Sequence, residues 1–108
     1  MDRSFRVTGP LLDVLEVLLD APDELHGWAI MKATARSGPT VYQVLERLTE
    51  VGWVSARWEA QHPEPGKPRR RFYRLNPTTL PAARALVDER RPQAKPAPRL
   101  RPSLGGDL

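Results

Sequence analysis

The chain has 108 residues, no cysteine and a formal net charge of +4. This length predicts one domain with a modest core, and the lack of cysteine excludes disulfides, thiolate zinc sites and cysteine nucleophiles. No apolar run approaches the ~20 residues of a membrane span, and the opening residues MDRSFRVTGP lack the apolar stretch of a secretory signal. We therefore expect a cytoplasmic protein with no membrane partner.

Charge is segregated along the chain. Residues 1–31 carry two basic and six acidic side chains, whereas residues 57–108 carry twelve basic and five acidic ones. Lysine and arginine gathered in one segment are typical of a protein that binds a polyphosphate. A solvated basic face has the same composition, so the motifs must decide between the two interpretations.

Two helices are predicted in the first third of the chain. The first begins at Thr8, with Pro10 in the first turn, where its missing N–H costs nothing. Its apolar residues cover more than one face, which predicts burial in the core and against a partner subunit. They are Leu11, Leu12, Val14, Leu15, Leu18 and Leu19. After a break at Ala21–Asp23, a second, supporting helix is predicted over residues 26–36.

The third predicted helix begins in Ser37-Gly38-Pro39, where Ser37 or Gly38 can cap it and Pro39 suits the first turn. One apolar stripe faces the core, and Gly52 is expected to end the helix in the left-handed conformation. The stripe consists of Val41, Val44, Leu45, Leu48 and Val51. Tyr42 and Gln43 lie on the outward side, and only the N-terminal part of the helix suits DNA.

Periodicity then changes from helical to alternating. Val54, Ala56 and Trp58 are predicted to share the inward face of a half-buried strand. The loop over residues 61–68 holds three prolines and a glycine, so the chain must turn there. A cationic return strand is predicted over residues 69–75. A helix, a stop and a basic hairpin in this order predict a winged helix-turn-helix, a mainly α fold with a small β-hairpin wing (α+β).

A last, short helix is predicted from Asn76 to about Arg91, which closes a winged-helix domain over residues 1–91. Residues 92–108 contain four prolines and two adjacent glycines, with few large apolar groups. Such a composition cannot offset the entropy lost on ordering, so a disordered, Pro/Arg-rich tail is expected.

Four ordered motifs resemble the PadR family of bacterial transcriptional regulators over roughly residues 11–91. They are LHGWAI (25–30), GPTVYQVLERL (38–48), GWV (52–54) and GKPRRRFYRL (66–75). The resemblance implies a winged-helix homodimer that binds double-stranded operator DNA, usually as a repressor. In many members a small aromatic or lipophilic effector releases the DNA. The chain departs from the family after the return strand, where Leu75-Asn76-Pro77-Thr78-Thr79 lacks the usual acid and glycine.

The resemblance assigns Thr40 and Tyr42 to groove and phosphate contacts, Arg47 to the DNA backbone, and Lys67 and Arg69 to the wing. Gln43, whose amide suits adenine, the helix-start residue Ser37 and the wing residue Arg70 complete the predicted DNA-binding set. Each has a second interpretation. Tyr42 can pack at the helix edge, Gln43 can stay solvated, Arg47 can pair with Glu46 or Glu50, and the arginine run can be a solvated strand edge.

No catalytic motif stands out, and the two histidines lie in different segments, so we expect neither an enzyme nor a bound cofactor or metal. The rival interpretation is a winged-helix protein–protein interaction module without specific DNA binding. The three tryptophans, Trp28, Trp53 and Trp58, allow an aromatic effector pocket between subunits. Core packing is the alternative for all three and is favoured for Trp53.

Overall fold

A computed structural model describes residues 5–21, 23–59, 66 and 70–91. The predicted tail, residues 92–108, lies outside the described residues. The elements run in the order α1 (Gly9–Asp20), β1 (Leu25–His26), α2 (Gly27–Thr34), α3 (Gly38–Glu50), β2 (Val54–Trp58), β3 (Arg71–Leu75), a 3-10 helix (Pro77–Thr79) and α4 (Leu80–Arg90). This order confirms the predicted winged helix-turn-helix.

Helix α1 is the centre of the core. The Thr8 hydroxyl accepts a hydrogen bond from the Leu11 N–H at 3.3 Å, which caps the helix where the sequence predicts its start. Five apolar residues of α1 are buried, and the helix contacts α2, α3 and α4. The five buried residues of α1 are Leu11, Leu12, Val14, Leu15 and Leu18. Burial on more than one face is thus achieved within a single subunit.

Helix α3 packs its predicted stripe against this core. Val41, Leu45 and Leu48 are fully buried. The helix ends at Glu50, and two residues later Gly52 has a φ of 86°, which lies in the left-handed region that favours glycine. That turn brings the Trp53 N–H to 3.0 Å from the Leu48 carbonyl oxygen, so a helix-end acceptor is satisfied. Trp53 is 3% exposed, which confirms its packing role.

The sheet has the strand order β1-β3-β2, and both pairings are antiparallel. In the hairpin, Val54 pairs with Leu75 at the base and Trp58 pairs with Arg71 towards the turn. Strand β1 pairs Leu25 with Tyr73. This strand was not predicted, because two residues show no periodicity. Its pairing fixes the start of α2 beside the hairpin.

The base of the hairpin is joined to the end of α3 by hydrogen bonds. The buried Thr79 hydroxyl lies 3.0 Å from the Trp53 carbonyl oxygen and 2.7 Å from that of Asn76. The side-chain amide nitrogen of Asn76 donates to the Gly52 carbonyl oxygen at 2.6 Å. The last helix was predicted to begin at Asn76, but an ordered 3-10 turn stands there and the α-helix begins at Leu80.

Three local predictions need correction. The second helix is shorter than residues 26–36, because His26 is its N-cap and Ala35, with a φ of 57°, ends it. The return strand begins at Arg71 rather than at residue 69. Trp58 was predicted to face inward but is 54% exposed, because burial falls along β2 from Val54 as the hairpin leaves the core.

Candidate nucleic-acid interface

The turn between α2 and α3 is held by side chains as well as by backbone. The Thr34 hydroxyl donates to the Ile30 carbonyl at 2.9 Å and accepts from the Arg36 N–H at 3.3 Å. The left-handed Ala35 then redirects the chain, so α3 starts only four residues after α2 ends. This short connection produces the helix-turn-helix arrangement that the sequence predicts.

Ser37 and Thr40 form the cap of α3. The Ser37 hydroxyl oxygen accepts from the Thr40 N–H at 3.4 Å and lies 3.0 Å from the Thr40 hydroxyl oxygen. The two predicted contact residues therefore touch each other at the positive end of the helix dipole, where anions are favoured. Ser37 is exposed and Thr40 is half-buried.

Tyr42 lies across Gly27 at the start of α2. A Cβ placed on Gly27 would come within 2.5 Å of the Tyr42 ring and hydroxyl, so only glycine allows this approach. The Tyr42 side chain nevertheless remains 44% exposed. Packing at the helix edge and a contact with DNA are consequently not exclusive for this residue.

Gln43 and Arg47 face a separate depression. Both are exposed, and they line it together with Phe5, Arg6 and Glu50. Arg47 lies 3.5 Å from the Glu50 carboxylate, which is the surface ion pair that the sequence offers as the alternative to a phosphate contact. Because both side chains are largely solvated, such a pair contributes little and does not fix Arg47.

Of the predicted wing residues, Lys67 and Arg69 lie outside the described residues. Arg70 is exposed, and its N–H donates to the Glu59 carboxylate at 3.1 Å across the hairpin. The guanidinium of Arg71 lies 5.0 Å from the centre of the Trp58 ring and 5.8 Å from that of Tyr73. Burial raises the pKa of the Tyr73 hydroxyl, and the nearby Arg71 charge partly opposes this effect.

The recognition helix and the hairpin meet at one open cavity of about 630 Å³, which we name the aromatic cavity. Its walls carry four aromatic rings and two cations: Trp28, Tyr42, Trp58, Tyr73, Arg70 and Arg71. His26 and Gly27 complete the lining. The structure thus brings Tyr42 and Arg70 together, whereas Gln43 and Arg47 lie in the neighbouring depression.

Helix α2 supplies Trp28 and Lys32 to this surface. The sequence offered Trp28 only for an effector pocket between subunits, and Lys32 was not predicted. Trp28 is 58% exposed, and the ammonium group of Lys32 lies 4.5 Å from its ring centre. A spacing of four residues puts two side chains on the same face of a helix, so the Trp28–Lys32 pair was detectable from the sequence. Lys32 adds a cation near the cavity that no motif assigned.

A second charged group, which we name the ion-pair cluster, connects the turn before α3 to the rest of the fold. Its members are Asp13, Glu16, Arg36 and Arg91. Asp13 lies 2.8 Å from both Arg36 and Arg91. Burial alone would raise the pKa of Asp13, but the hydrogen bonds and charges of the two arginines outweigh it and lower that pKa below 3.8.

Within the described part of the chain, no helix is long and apolar enough to cross a membrane. In the same residues, no group of three or more His, Cys, Asp or Glu side chains could hold a metal ion.

The helices and hairpin define a winged helix-turn-helix protein. The family model of the PadR-like transcriptional regulators matches residues 14–79. The chain belongs to this family, which is one of regulators rather than enzymes. No curated protein sequence matches it significantly.

Solved structures of winged-helix regulators share the fold. MepR, a transcription regulator of the Staphylococcus aureus multidrug efflux pump MepA, is 25% identical with a TM-score of 0.59, over 82% of this chain and 63% of MepR. PcaV from Streptomyces coelicolor, solved with its natural ligand, is 24% identical with a TM-score of 0.60, over 87% of this chain and 64% of PcaV. A MepR–DNA complex is 23% identical with a TM-score of 0.61, over 82% of this chain and 70% of MepR. The matched chain spans less than two thirds of the first two structures.

Proposed function

We propose that this regulator binds double-stranded DNA in a sequence-specific manner, with the first half of α3 in the major groove and the β2–β3 hairpin along the adjacent backbone. One observation carries the proposal: Tyr42 of α3 and Arg70 of the hairpin line the same cavity. Two elements that present to one side can contact one duplex together. The fold shared with MepR, which was solved with DNA, supports this arrangement.

The residues divide by the type of contact they can make. Gln43 is exposed on α3, and its amide can pair with adenine through two hydrogen bonds. Ser37, Thr40 and Tyr42 lie near the N-terminal end of the helix and suit phosphate or groove contacts. Arg47 can leave its weak pair with Glu50 for a phosphate.

Lys67, Arg69 and Arg70 are proposed to hold the wing on the sugar–phosphate backbone. Contacts with phosphate orient a protein on the duplex without reading the sequence. The wing therefore supplies affinity, and α3 supplies the specificity.

The active species is proposed to be a homodimer that acts as a repressor and is released by a small aromatic effector. A symmetric pair of recognition helices doubles the sequence that is read, and operator symmetry then mirrors protein symmetry. The ligand bound to PcaV supports an effector for this chain. Bound at a promoter, the dimer would block transcription until the effector binds.

Selection of bound genomic fragments followed by footprinting tests this function. We expect a protected palindrome whose half-sites lie about one or two helical turns apart. If no sequence is enriched over random fragments, the protein–protein interaction module becomes the better interpretation.

The wing has its own test in the triple variant Lys67→Gln, Arg69→Gln and Arg70→Gln. Binding to all sequences should weaken, and the slope of log K against log salt should shrink by about 0.9 for each phosphate that the wing no longer neutralises. A matched variant, Arg74→Gln, Arg84→Gln and Arg90→Gln, removes the same charge from exposed positions away from the cavity. Equal slopes in the two triple variants would show that the wing does not contact DNA.

A further inference from the structure

The segment over residues 24–27 contacts both of the elements that are proposed to bind DNA. In the sheet, His26 pairs with Phe72 of the hairpin. The Tyr42 ring of α3 lies across Gly27, so closely that no side chain fits between them. The position of the hairpin relative to the recognition helix is therefore set in part by this segment.

Backbone pairing attaches the hairpin to this segment over a short length. Strand β1 pairs with β3 at only two residues, and β2 lies at the opposite edge of the sheet. The hairpin continues beyond the pair of Trp58 and Arg71 to Glu59 and Arg70. An isolated two-stranded hairpin is at best marginally stable in water, so such a short ladder fixes the direction of the wing weakly.

Arg57 of β2 adds a second attachment. Its side chain reaches across β3 to Glu24, where the Nε atom donates to both carboxylate oxygens at 3.0 and 2.9 Å and Nη2 donates to Oε1. The guanidinium lies 4.9 Å from the ring centre of Phe72, its neighbour on β3. This contact, which we name the cross-sheet pair, spans the sheet from β2 to the residue before β1.

The cross-sheet pair is better suited to orientation than to stability. The side chain of Glu24 is 22% exposed and that of Arg57 is 55% exposed. Ion pairs so open to solvent contribute little to folding. A guanidinium that donates to both oxygens of a carboxylate nevertheless has a defined geometry, which restricts how β2 can tilt.

We infer that the cross-sheet pair positions the wing for DNA, with Glu24 as the positioning residue and Arg57 as the group through which it acts. The inference rests on the proposed function. A wing that is already held beside α3 loses less conformational entropy on binding than one that must be ordered. Two contacts in a fixed relation then engage one duplex together. An acidic residue thereby strengthens the binding of a polyanion that it does not touch.

The sign of one effect tests this role. Glu24→Gln removes a negative charge, so long-range electrostatics alone predicts equal or tighter DNA binding. Loss of the positioning contact predicts the opposite, a rise of about 5-fold in the Kd for a selected operator. The matched control Glu89→Gln removes the same charge from an exposed position on α4 and should not weaken binding. Unchanged or tighter binding by Glu24→Gln, or equal weakening in both variants, would overturn the inference.

A double variant tests whether Arg57 acts through Glu24. Arg57→Gln should weaken binding because it breaks the same pair. Adding Glu24→Gln to it should cause no further loss, since residues that act as a unit have non-additive effects. Losses that add in the double variant would give the two residues separate roles and overturn the inference.

Nitrogen-15 relaxation of the tryptophan indole groups separates order in the wing from a general loss of structure. Trp58 follows Arg57 on the hairpin, whereas Trp53 is buried in the core. In full-length Glu24→Gln the Trp58 indole should become more mobile on the ps–ns timescale, and the Trp53 indole should not. The thermal unfolding midpoint should stay within about 4 °C of the wild type. An unchanged Trp58 indole, or equal gains in mobility at both tryptophans, would overturn the inference.

These measurements distinguish failure of the inference from failure of the proposed function. If the wild type binds no DNA, the proposed function is wrong and the role in DNA binding is lost with it, whatever Glu24→Gln does. If the wild type binds an operator and Glu24→Gln binds it equally well, the positioning role alone is wrong and the proposed function stands.

Discussion

The ion-pair cluster and the aromatic cavity each contain two arginines, but their surroundings differ. Arg36 and Arg91 lie 2.8 Å or less from carboxylates of α1. Arg71 lies against the rings of Trp58 and Tyr73 instead, and Arg70 is exposed at the cavity wall. An arginine paired with carboxylates stabilises the fold, whereas one held by aromatic rings keeps its charge available to an anionic partner.

The same contrast explains how the recognition helix is supported. Arg36 immediately precedes the α3 cap residue Ser37, and its pair with Asp13 ties that turn to α1. Arg91 follows α4 and reaches Asp13 as well. One carboxylate thus joins the start of α3 to the end of α4. The cluster positions the surface that the cavity and the N-terminal end of α3 present.

The largest loss of stability is expected from Arg91→Gln. This change removes the hydrogen bonds and ion pairs with the Glu16 carboxylate at 2.6 Å, with Asp13 at 2.8 Å and with the Gly9 carbonyl at 3.1 Å. Because partly buried acceptors lose their donor, we expect a loss of about 1–2 kcal/mol in the free energy of unfolding. Urea denaturation followed by tryptophan fluorescence measures this loss.

Arg70→Gln is the matched comparison for that variant. A surface change away from packed groups should alter the free energy of unfolding by no more than about 0.5 kcal/mol. Its expected effect is a loss of DNA affinity, measured at the same salt concentration. If Arg70→Gln destabilises the domain as much as Arg91→Gln does, the division between the two kinds of arginine is wrong.

A smaller change in the free energy of unfolding is expected from the titration of Asp13. Its pKa in the folded protein lies below 3.8, so the unfolded chain binds a proton more readily. Stability from this group is therefore present above pH 3.8 and is lost as the pH falls through the lowered pKa of the folded state. The free energies of unfolding of the wild type and Asp13→Asn, measured against pH, should converge towards low pH. A difference between the two free energies that stays constant over this range would exclude Asp13 as a contributor to stability.

Much of the fold could be predicted because its signals are local. The stripe of Val41, Leu45 and Leu48, the Ser37 cap and the Gly52 stop each lie within a few residues of their effects. The ordered family motifs extended these local signals to the hairpin. Of the predicted DNA-binding positions on α3, Tyr42, Gln43 and Arg47 are exposed and Thr40 is half-buried, and their contacts with DNA remain a proposal.

Other features could not be predicted because they join distant residues. Arg91 and Glu16 are 75 positions apart, and nothing local to either residue indicates the other. Strand β1 is defined by its pairing with β3 rather than by its own two residues. The exposure of Trp58 depends on where the hairpin leaves the core, so alternation along the strand wrongly predicted an inward ring.

Among the variants expected to destabilise the domain, the smallest loss of stability is expected at Ser37, which lies between the two regions. Ser37→Ala removes the hydroxyl that accepts the Thr40 N–H. Since that hydrogen bond is long, at 3.4 Å, and exposed, a loss near the low end for helix caps is expected, about 0.5–1 kcal/mol in the free energy of unfolding.

Ser37→Asp separates capping from a contact with DNA. Aspartate also caps helices, and its charge suits the positive end of α3, so stability should equal or exceed that of the wild type. If Ser37 lies beside a phosphate, the added negative charge should weaken DNA binding more than Ser37→Ala does, and most strongly at low salt. Thermal unfolding and DNA titration of both variants measure the two effects. Equal DNA affinities for Ser37→Asp and the wild type would leave Ser37 as a cap alone and move the phosphate contact to other residues of α3.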